Sequence, residues 1–337
     1  MGGDFAPAKT VEGAVLALKE FPDLKLVLVG DEATVKKELA KQGRGEWLER
    51  AEIRHASQVV SMSDGATDAV RKKKDSSINR AVELVKDGMA HAVVSAGHTG
   101  ALVAATTIRL RTLPGIDRPG IATILPTQTK NFLLIDAGAN IDPDPHHLVG
   151  YAVMGSIYAR EIMGHANPRV ALVSIGAEAG KGNEFTKEAF KLLSQAPVHF
   201  VGNIEGHALF NKPVEVVVCD GFVGNVILKT AESLATAIFK WLKHELGQNP
   251  LRQAGALMAK DAFLTIRKRT NTEEYGGMPL LGVNGICIKA HGNSSALAIK
   301  NALRVAREAV ALEVNRRIIA AMSKHHDQHK ASAAPAP

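Results

Sequence analysis

The stretch "VVSAGHTGALVAA", Val93 to Ala105, sets two glycines, a histidine and a threonine between a short apolar run and an alanine-rich segment. Ala92 to Ser95 has the composition of a buried strand and Ala101 to Arg111 that of a helix, so Gly97, His98, Thr99 and Gly100 should open the helix. Free backbone N–H groups and the positive end of the helix dipole then face whatever lies above the strand, which suits an anion. Three more glycine-rich turns follow apolar runs: "DAGAN" (Asp136 to Asn140), "GAEAGKGNE" (Gly176 to Glu184) and "CDGFVGN" (Cys219 to Asn225). Each sets a carboxylate, a carboxamide or a lysine where bare backbone can approach a ligand. Lys181, between glycines, can reach a shared site as a point charge.

Familiar signatures fail. In "GAEAGKGNE" Gly182 stands where a P-loop needs Ser or Thr, and no GxGxxG follows a strand, so no nucleotide is expected. His98, His146, His147 and His291 are scattered without a zinc-ligand spacing beside carboxylates, so no metal is expected. Ser95 and Ser174 lack a local base partner, which argues against a covalent serine mechanism. Cys219 and Cys287 sit in apolar runs and read as buried thiols. The run "RKKKDSS", Arg71 to Ser77, is either a solvated loop or a second anion contact and docking patch.

These residues need a scaffold to position them. The 337 residues are 46% hydrophobic, enough for a substantial core, and carry a net charge of +7, which favours an acidic partner. Aromatics at 4% and the lack of any nucleic-acid motif exclude a base-stacking surface. Runs such as "LKLVLVG", "AHAVVSAG", "NFLLIDAGAN", "RVALVSIGAEAG", "VHFVGNIEG" and "VEVVVCDGFVGN" alternate with helical stretches. That pattern predicts an α/β protein with a mostly parallel sheet covered on both faces, its ligand turns gathered at one carboxyl edge. A short strand is expected at Ala51 to His55.

From Thr230 to Thr272 a helical pattern broken at Gly247 to Pro250 predicts a helical hairpin. Around its tip Leu251, Ala254, Leu257, Met258 and Phe263 are apolar, while Arg252, Lys260, Arg267, Lys268 and Arg269 are basic. Such a mixture suits either a peripheral helix on anionic lipid or a dimer or core contact. One domain is expected over 1–323, with 324–337, including His325, His326 and His329, a disordered tail. No run of about 18 apolar residues and no secretory signal occur, so a cytoplasmic location is expected.

Taken together, "MGGDFAP", "RKKKDSS", "SAGHTGAL", "LIDAGANID", "GKGNE", "VGNIEG", "CDGFVGNVILKTAE", "YGGMPLLGVNG" and "KAHGNSSALAIKNAL" closely resemble the PlsX family of bacterial phosphate acyltransferases, from Met1 to about Ala311. The resemblance implies a Rossmann-like α/β/α sandwich that moves a long fatty acyl group from acyl carrier protein to inorganic phosphate. It also implies a homodimer that contacts membrane through the hairpin, with Leu251, Leu257 and Met258 at the tip. The acyl phosphate would pass to a membrane glycerol-3-phosphate acyltransferase, and no cofactor is implied. Rival expectations are a phosphotransacetylase using short acyl groups on coenzyme A, and a catalytically silent membrane scaffold.

On this basis phosphate is expected at Gly97, His98, Thr99, Gly100 and Asn140. Lys181, Asn183, Asn225 and Asp220 are the candidate catalytic residues, although Asp220, like Asp4 and Asp136, is expected first to fix a loop. Lys72, Lys73 and Lys74 are candidate contacts for the acidic carrier protein. Two departures stand out. The family loop has Asn where this chain has His98, and relatives carry a further β-strand before the glycine-glycine-aspartate turn at which this sequence starts.

Overall fold

The computed structural model describes the backbone of residues 1–333 except 128–129 and 271, and leaves the side chains of 267–273 and 325–333 undescribed. Along the chain come α1 (Ala8–Glu20), β1 (Leu26–Gly30), α2 (Glu32–Lys41), β2 (Ala51–His55), α3 (Ala66–Lys72), α4 (Ser77–Lys86), β3 (Ala92–Ser95) and α5 (Thr99–Arg109). They are followed by β4 (Gly120–Pro126), β5 (Asn131–Ile135), α6 (His147–Glu161), β6 (Arg169–Val173), α7 (Glu184–Ser194), β7 (His199–Ile204) and β8 (Val216–Val218). The last third holds α8 (Gly221–Leu246), α9 (Pro250–Met258), α10 (Lys260–Thr270), β9 (Met278–Leu281), β10 (Ile286–Lys289), α11 (Ala296–Ala311) and α12 (Val314–Ala333).

The main sheet has eight strands in the order β3-β10-β9-β4-β5-β8-β6-β7. It is mixed, which corrects the mostly parallel expectation: β3–β10, β5–β8, β8–β6 and β6–β7 are parallel, whereas β10–β9, β9–β4 and β4–β5 are antiparallel. Three reversals in a row leave β3, β10 and β4 running one way and β5, β8, β6 and β7 the other. The cause is local. The connection from Pro126 to Asn131 is too short for a parallel crossover and closes as a hairpin, with the Thr127 N–H donating to Lys130 O at 3.0 Å.

Alternate residues of each strand feed two separate cores. Ile124, Leu133, Ile135, Leu172, Val218 and Ile288 pack under α6, α7, α11 and α12. Val93, Ile121, Leu134, Ala171, Val217 and Cys287 pack under α3, α4, α5 and the first turns of α8. The sheet is therefore covered on both faces, as its apolar strands require. Both cysteines are buried and free.

Strand β1 stands outside this sheet, contrary to its grouping with the other runs, and pairs only with β2 in a parallel ladder from Leu26–Ala51 to Gly30–His55. A groove of about 650 Å³ lies between β1 and β3.

The hairpin is built from α8, α9 and α10. Asn249 caps α9 by accepting the Arg252 N–H at 2.9 Å, and Pro250 takes the first helical position, where its missing N–H costs nothing. Only Gly221, Gly224 and Leu228 of α8 are buried. Among the described residues α8 is the one helix long and apolar enough to cross a bilayer, with a window of mean hydropathy 1.2, although no uninterrupted apolar run marks it in the sequence. Helix α12 packs through Val314, Ile318 and Met322, its backbone continues to Ala333 into the segment expected to be a disordered tail, and 334–337 fall outside the described residues.

Candidate functional site

Strands β3 and β10 lie side by side, and the helices that leave them cover opposite faces, α5 in one core and α11 in the other. Diverging connections of this sort open a crevice at the strands' carboxyl ends. His98 caps α5 by accepting the Ala101 N–H on Nδ1 at 3.0 Å, and Ser295 caps α11 by accepting the Ala298 N–H at 3.2 Å. With the third N–H of each helix taken by its cap, those of Thr99, Gly100, Ala296 and Leu297 have no partner among the described residues and are open to a ligand. An asparagine oxygen makes the same cap, so the His98 departure leaves the turn's geometry intact.

Three turns meet at this first edge. The Asp4 N–H donates to Gly292 O at 2.8 Å, and the Ala290 N–H donates to Ser95 O at 2.9 Å. A Cβ on Gly3 would lie 3.2 Å from Gly292 O and 3.3 Å from the Ala96 Cβ, so the turns pack tightly against the glycine backbone. Behind them lies a buried lysine, Lys289, only 3% exposed. Its ammonium donates to Ala290 O, and no carboxylate pairs with it among the described residues. Burial lowers its pKa to about 8, so it still holds its proton near neutrality. Lys229, from α8, stands 3.3 Å from His291 Nε2 and 2.8 Å from Glu232. Lys289 and Lys229 escaped the sequence reading; a lysine closing the apolar run "GICIK" was the available signal.

The other three glycine-rich turns lie at the opposite edge, because β5, β6 and β8 run against β3. The expectation of a single edge is corrected by strand direction. Asp136 accepts four backbone N–H groups there, from Ile121, Gly138, Ala139 and Asn140 at 3.0, 3.0, 2.9 and 2.7 Å. Burial pushes its carboxyl up from the ordinary range, and these donors oppose that push. Asn140 donates to Pro119 O at 2.6 Å and to the Tyr151 hydroxyl at 2.9 Å, so its carboxamide braces the loop. Glycine is obligatory where α8 starts against this loop: a Cβ on Gly224 would lie 1.9 Å from Asp136 O.

Asp220 caps α8 by accepting the Val223 N–H at 2.8 Å, and Asn183 caps α7 by accepting the Thr186 N–H at 2.9 Å. Ser174 donates to Lys181 O at 3.3 Å, which fixes the lysine's backbone and leaves its ammonium exposed. Asn225 is exposed on the first turn of α8. Within one chain, then, Lys181, Asn183, Asn225, Asp220 and Asn140 gather with one another and not with Gly97, His98, Thr99 and Gly100.

The remaining expected sites are dispersed. Leu251, Leu257 and Met258 are 84%, 72% and 90% exposed at the hairpin, and Phe222, Val226, Leu234, Ile238 and Trp241 are exposed along α8. Arg267, Lys268 and Arg269 lie outside the described side chains, as do His325, His326 and His329. Lys72 pairs with Asp68 at 2.9 Å and Lys73 with Asp64 at 2.6 Å, while Lys74 is exposed. A Cβ on Gly100 would lie 3.0 Å from the Ala66 Cβ, which puts α3 and its lysines on the rim of the first edge. One histidine cluster does acquire a carboxylate: ligand atoms of Asp117, His146 and His147 lie within 4.8 Å of one another. His147 Nδ1 there accepts the Asp144 N–H at 2.8 Å, and burial, aided by His146, lowers its pKa.

The chain matches the family model described as "Fatty acid synthesis protein" over residues 1–317. It is 50% identical over 310 residues to a phosphate acyltransferase of Pelotomaculum thermopropionicum, covering 92% of this chain and 90% of the relative. It is 49% identical over 340 aligned positions to a phosphate acyltransferase of Citrifermentans bemidjiense, covering 100% and 96%. In fold it is similar to a phosphotransacetylase from Streptococcus pyogenes, with a TM-score of 0.62 and 18% identity over 93% of this chain and 92% of that one.

Proposed function

This chain belongs to the fatty acid synthesis protein family of phosphate acyltransferases, and from that premise we propose that it joins inorganic phosphate to a long fatty acyl group delivered by acyl carrier protein. Phosphate is already an anionic nucleophile near neutral pH and needs no strong base. One of its oxygens attacks the thioester carbonyl carbon, a C–O bond forms, and the C–S bond breaks. The carrier's thiolate leaves with the bonding electrons, its thiol having a pKa of roughly 8.5 if cysteine is the guide. The protein has to bring two anionic species together and stabilise the tetrahedral oxyanion, by positioning and preorganised N–H donors.

The observation that carries this proposal is the edge at the carboxyl ends of β3 and β10, where two capped helices start beside a buried cation. Phosphate is assigned to Gly97, His98, Thr99 and Gly100. For Lys181, Asn183 and Asn225 to act on it they must come from a second protomer, so the catalytic assignment and the homodimer are linked. Exposed Ile141, Ile175 and Phe222 around the second edge support such a contact. Lys72, Lys73 and Lys74 are assigned to the acidic carrier, whose docking should weaken with salt.

The hairpin tip is assigned to an anionic bilayer surface, where an acyl phosphate is handed to a membrane glycerol-3-phosphate acyltransferase. A peripheral contact fits better than a span, because the first turns of α8 are held against the Asp136 loop and Lys229 pairs with Glu232. The fold likeness to a phosphotransacetylase keeps a short-chain coenzyme A donor in view. One assay separates the donors: thioester loss with and without phosphate, from palmitoyl carrier protein and from acetyl coenzyme A, with the acyl phosphate detected by mass. Phosphate-dependent loss from the carrier donor is expected; loss from acetyl coenzyme A alone would overturn the proposed donor.

A further inference from the structure

We infer that Lys289, with Lys229 and the His291 imidazole beside it, forms the seat that receives inorganic phosphate at the first edge, next to the turn that opens α5. This rests on the phosphate acyltransferase function and adds residues that no sequence motif pointed to. Lys289 closes β10, one residue before the turn that packs against "MGGD" and one ladder bond from Ser95. Cys287, two residues earlier on β10, packs in the core under α5 and α8, and at the strand's end Lys289 meets α8 through Glu232 and α11 through Ala298. There it lines a cavity of about 40 Å³ with Thr123, Glu232, His291 and Ser294. At about 10–15 Å³ per water, that space holds about three waters or one small tetrahedral oxyanion.

The electrostatics of the cavity favour an anion. An ammonium nine-tenths or more buried, bonded only to the carbonyl of the next residue, is a charge in low dielectric without a counter-ion. Proteins normally pair such a charge or neutralise it. The one carboxylate lining the cavity, Glu232, is engaged by Lys229 at 2.8 Å and leaves Lys289 uncompensated. Asp4, on the adjacent turn, acts on Lys289 at longer range without pairing with it. A phosphate oxygen in the cavity would accept from Lys289, with His291 and Ser294 lining the same space and Lys229 behind them, 3.3 Å from His291 Nε2.

The test uses the full-length enzyme and two variants, Lys289→Met and Lys229→Gln. Lys229 is exposed, so its substitution keeps the fold even if the buried change were to disturb it. Phosphate is titrated at saturating palmitoyl carrier protein, the carrier is titrated at saturating phosphate, and melting temperature is recorded with and without phosphate. The KM for phosphate should rise at least tenfold in Lys289→Met and several-fold in Lys229→Gln, with the KM for carrier unchanged. The wild-type melting shift caused by phosphate should vanish in Lys289→Met. A phosphate KM within twofold of wild type in both variants overturns the inference and leaves the acyltransferase function standing. Equal rises in both KM values, or a variant that melts early yet keeps its phosphate shift, mark Lys289 as structural and also overturn it. A wild-type enzyme that forms no acyl phosphate from either donor rejects the function itself.

Discussion

The two edges of one sheet carry similar sequence chemistry and put it to different use. At the carboxyl ends of β5, β6 and β8 the polar side chains are saturated from within: Asp136 takes four N–H groups, Asn140 braces Pro119 and Tyr151, and Asn183 and Asp220 each close a helix. At the carboxyl ends of β3 and β10 the polarity is left over, as free N–H groups on two helices and a buried lysine with no carboxylate. A ligand site is marked by polar groups without partners, because only those gain from a visitor. Richness in Asp and Asn marks a loop that holds itself in place.

The sharpest break in the comparison comes from one glycine at each edge. Gly224→Ala drives a methyl into Asp136 O and should abolish soluble, folded protein, measured by expression and circular dichroism. Asp136→Ala, which removes the acceptor of one buried and three half-buried N–H groups, should lower stability by about 3 kcal/mol, read from urea unfolding. Gly97→Val should act differently: its branched side chain crowds Ile78 and Ser95 at the mouth of the cradle and should lower kcat about 10²-fold with the fold retained. Collapse of the Gly97 variant, or full activity in it, would erase the distinction between a self-bracing edge and a ligand edge.

A mixing experiment sharpens the same comparison. If the second edge reaches phosphate only from a partner protomer, inactive Lys181→Ala and inactive Gly97→Val chains should complement when co-refolded, restoring about a quarter of wild-type activity through the one intact site in each mixed dimer. No recovery, with mixed dimers verified, would reject a site shared between protomers, and a Lys181→Ala chain that is active by itself would confine catalysis to the first edge.

Stability against pH gives a smaller and distinct readout. Because burial lowers the folded-state pKa of Lys289 from its ordinary value to about 8, the unfolded chain binds the extra proton between about pH 8 and 10.5. Its stability therefore rises with pH across that window, and below it the buried charge costs on the order of 3 kcal/mol. Lys289→Met should be more stable than wild type at pH 7, with the advantage fading toward pH 10.5. The smallest effects are expected at surfaces. Leu257→Glu with Met258→Glu should weaken binding to anionic vesicles about tenfold without altering activity on soluble donor. Lys72→Glu with Lys74→Glu should raise the KM for carrier protein several-fold at low salt only.

Much of this was legible in the sequence. Ala92–Ser95 and Ala51–His55 stand in the structure with the bounds their composition predicts, and the helix opening at Gly97 follows from glycine and cap chemistry. Strand direction was not legible, because an apolar run buried on both faces looks the same either way. The reversal is carried by β4 and β9, whose runs "GIATILP" and "MPLL" were passed over, and by the short Pro126–Asn131 connection. That connection was the one local signal that the turns after β3 and β5 face apart. Lys289 stayed hidden for a related reason: a lysine at the end of an apolar run reads as a solvent-facing terminus until the neighbouring helices are in place.

Hydrogen exchange with and without phosphate tests the central claim most directly, since it reports which main-chain amides the anion protects. Slowed exchange is predicted in residues 95–101 and 289–298, with 136–140, 176–184 and 219–225 unchanged in Gly97 and Lys289 wild-type protein. Protection confined to the second set, with 95–101 unaffected, would contradict the placement of phosphate at the β3 and β10 edge.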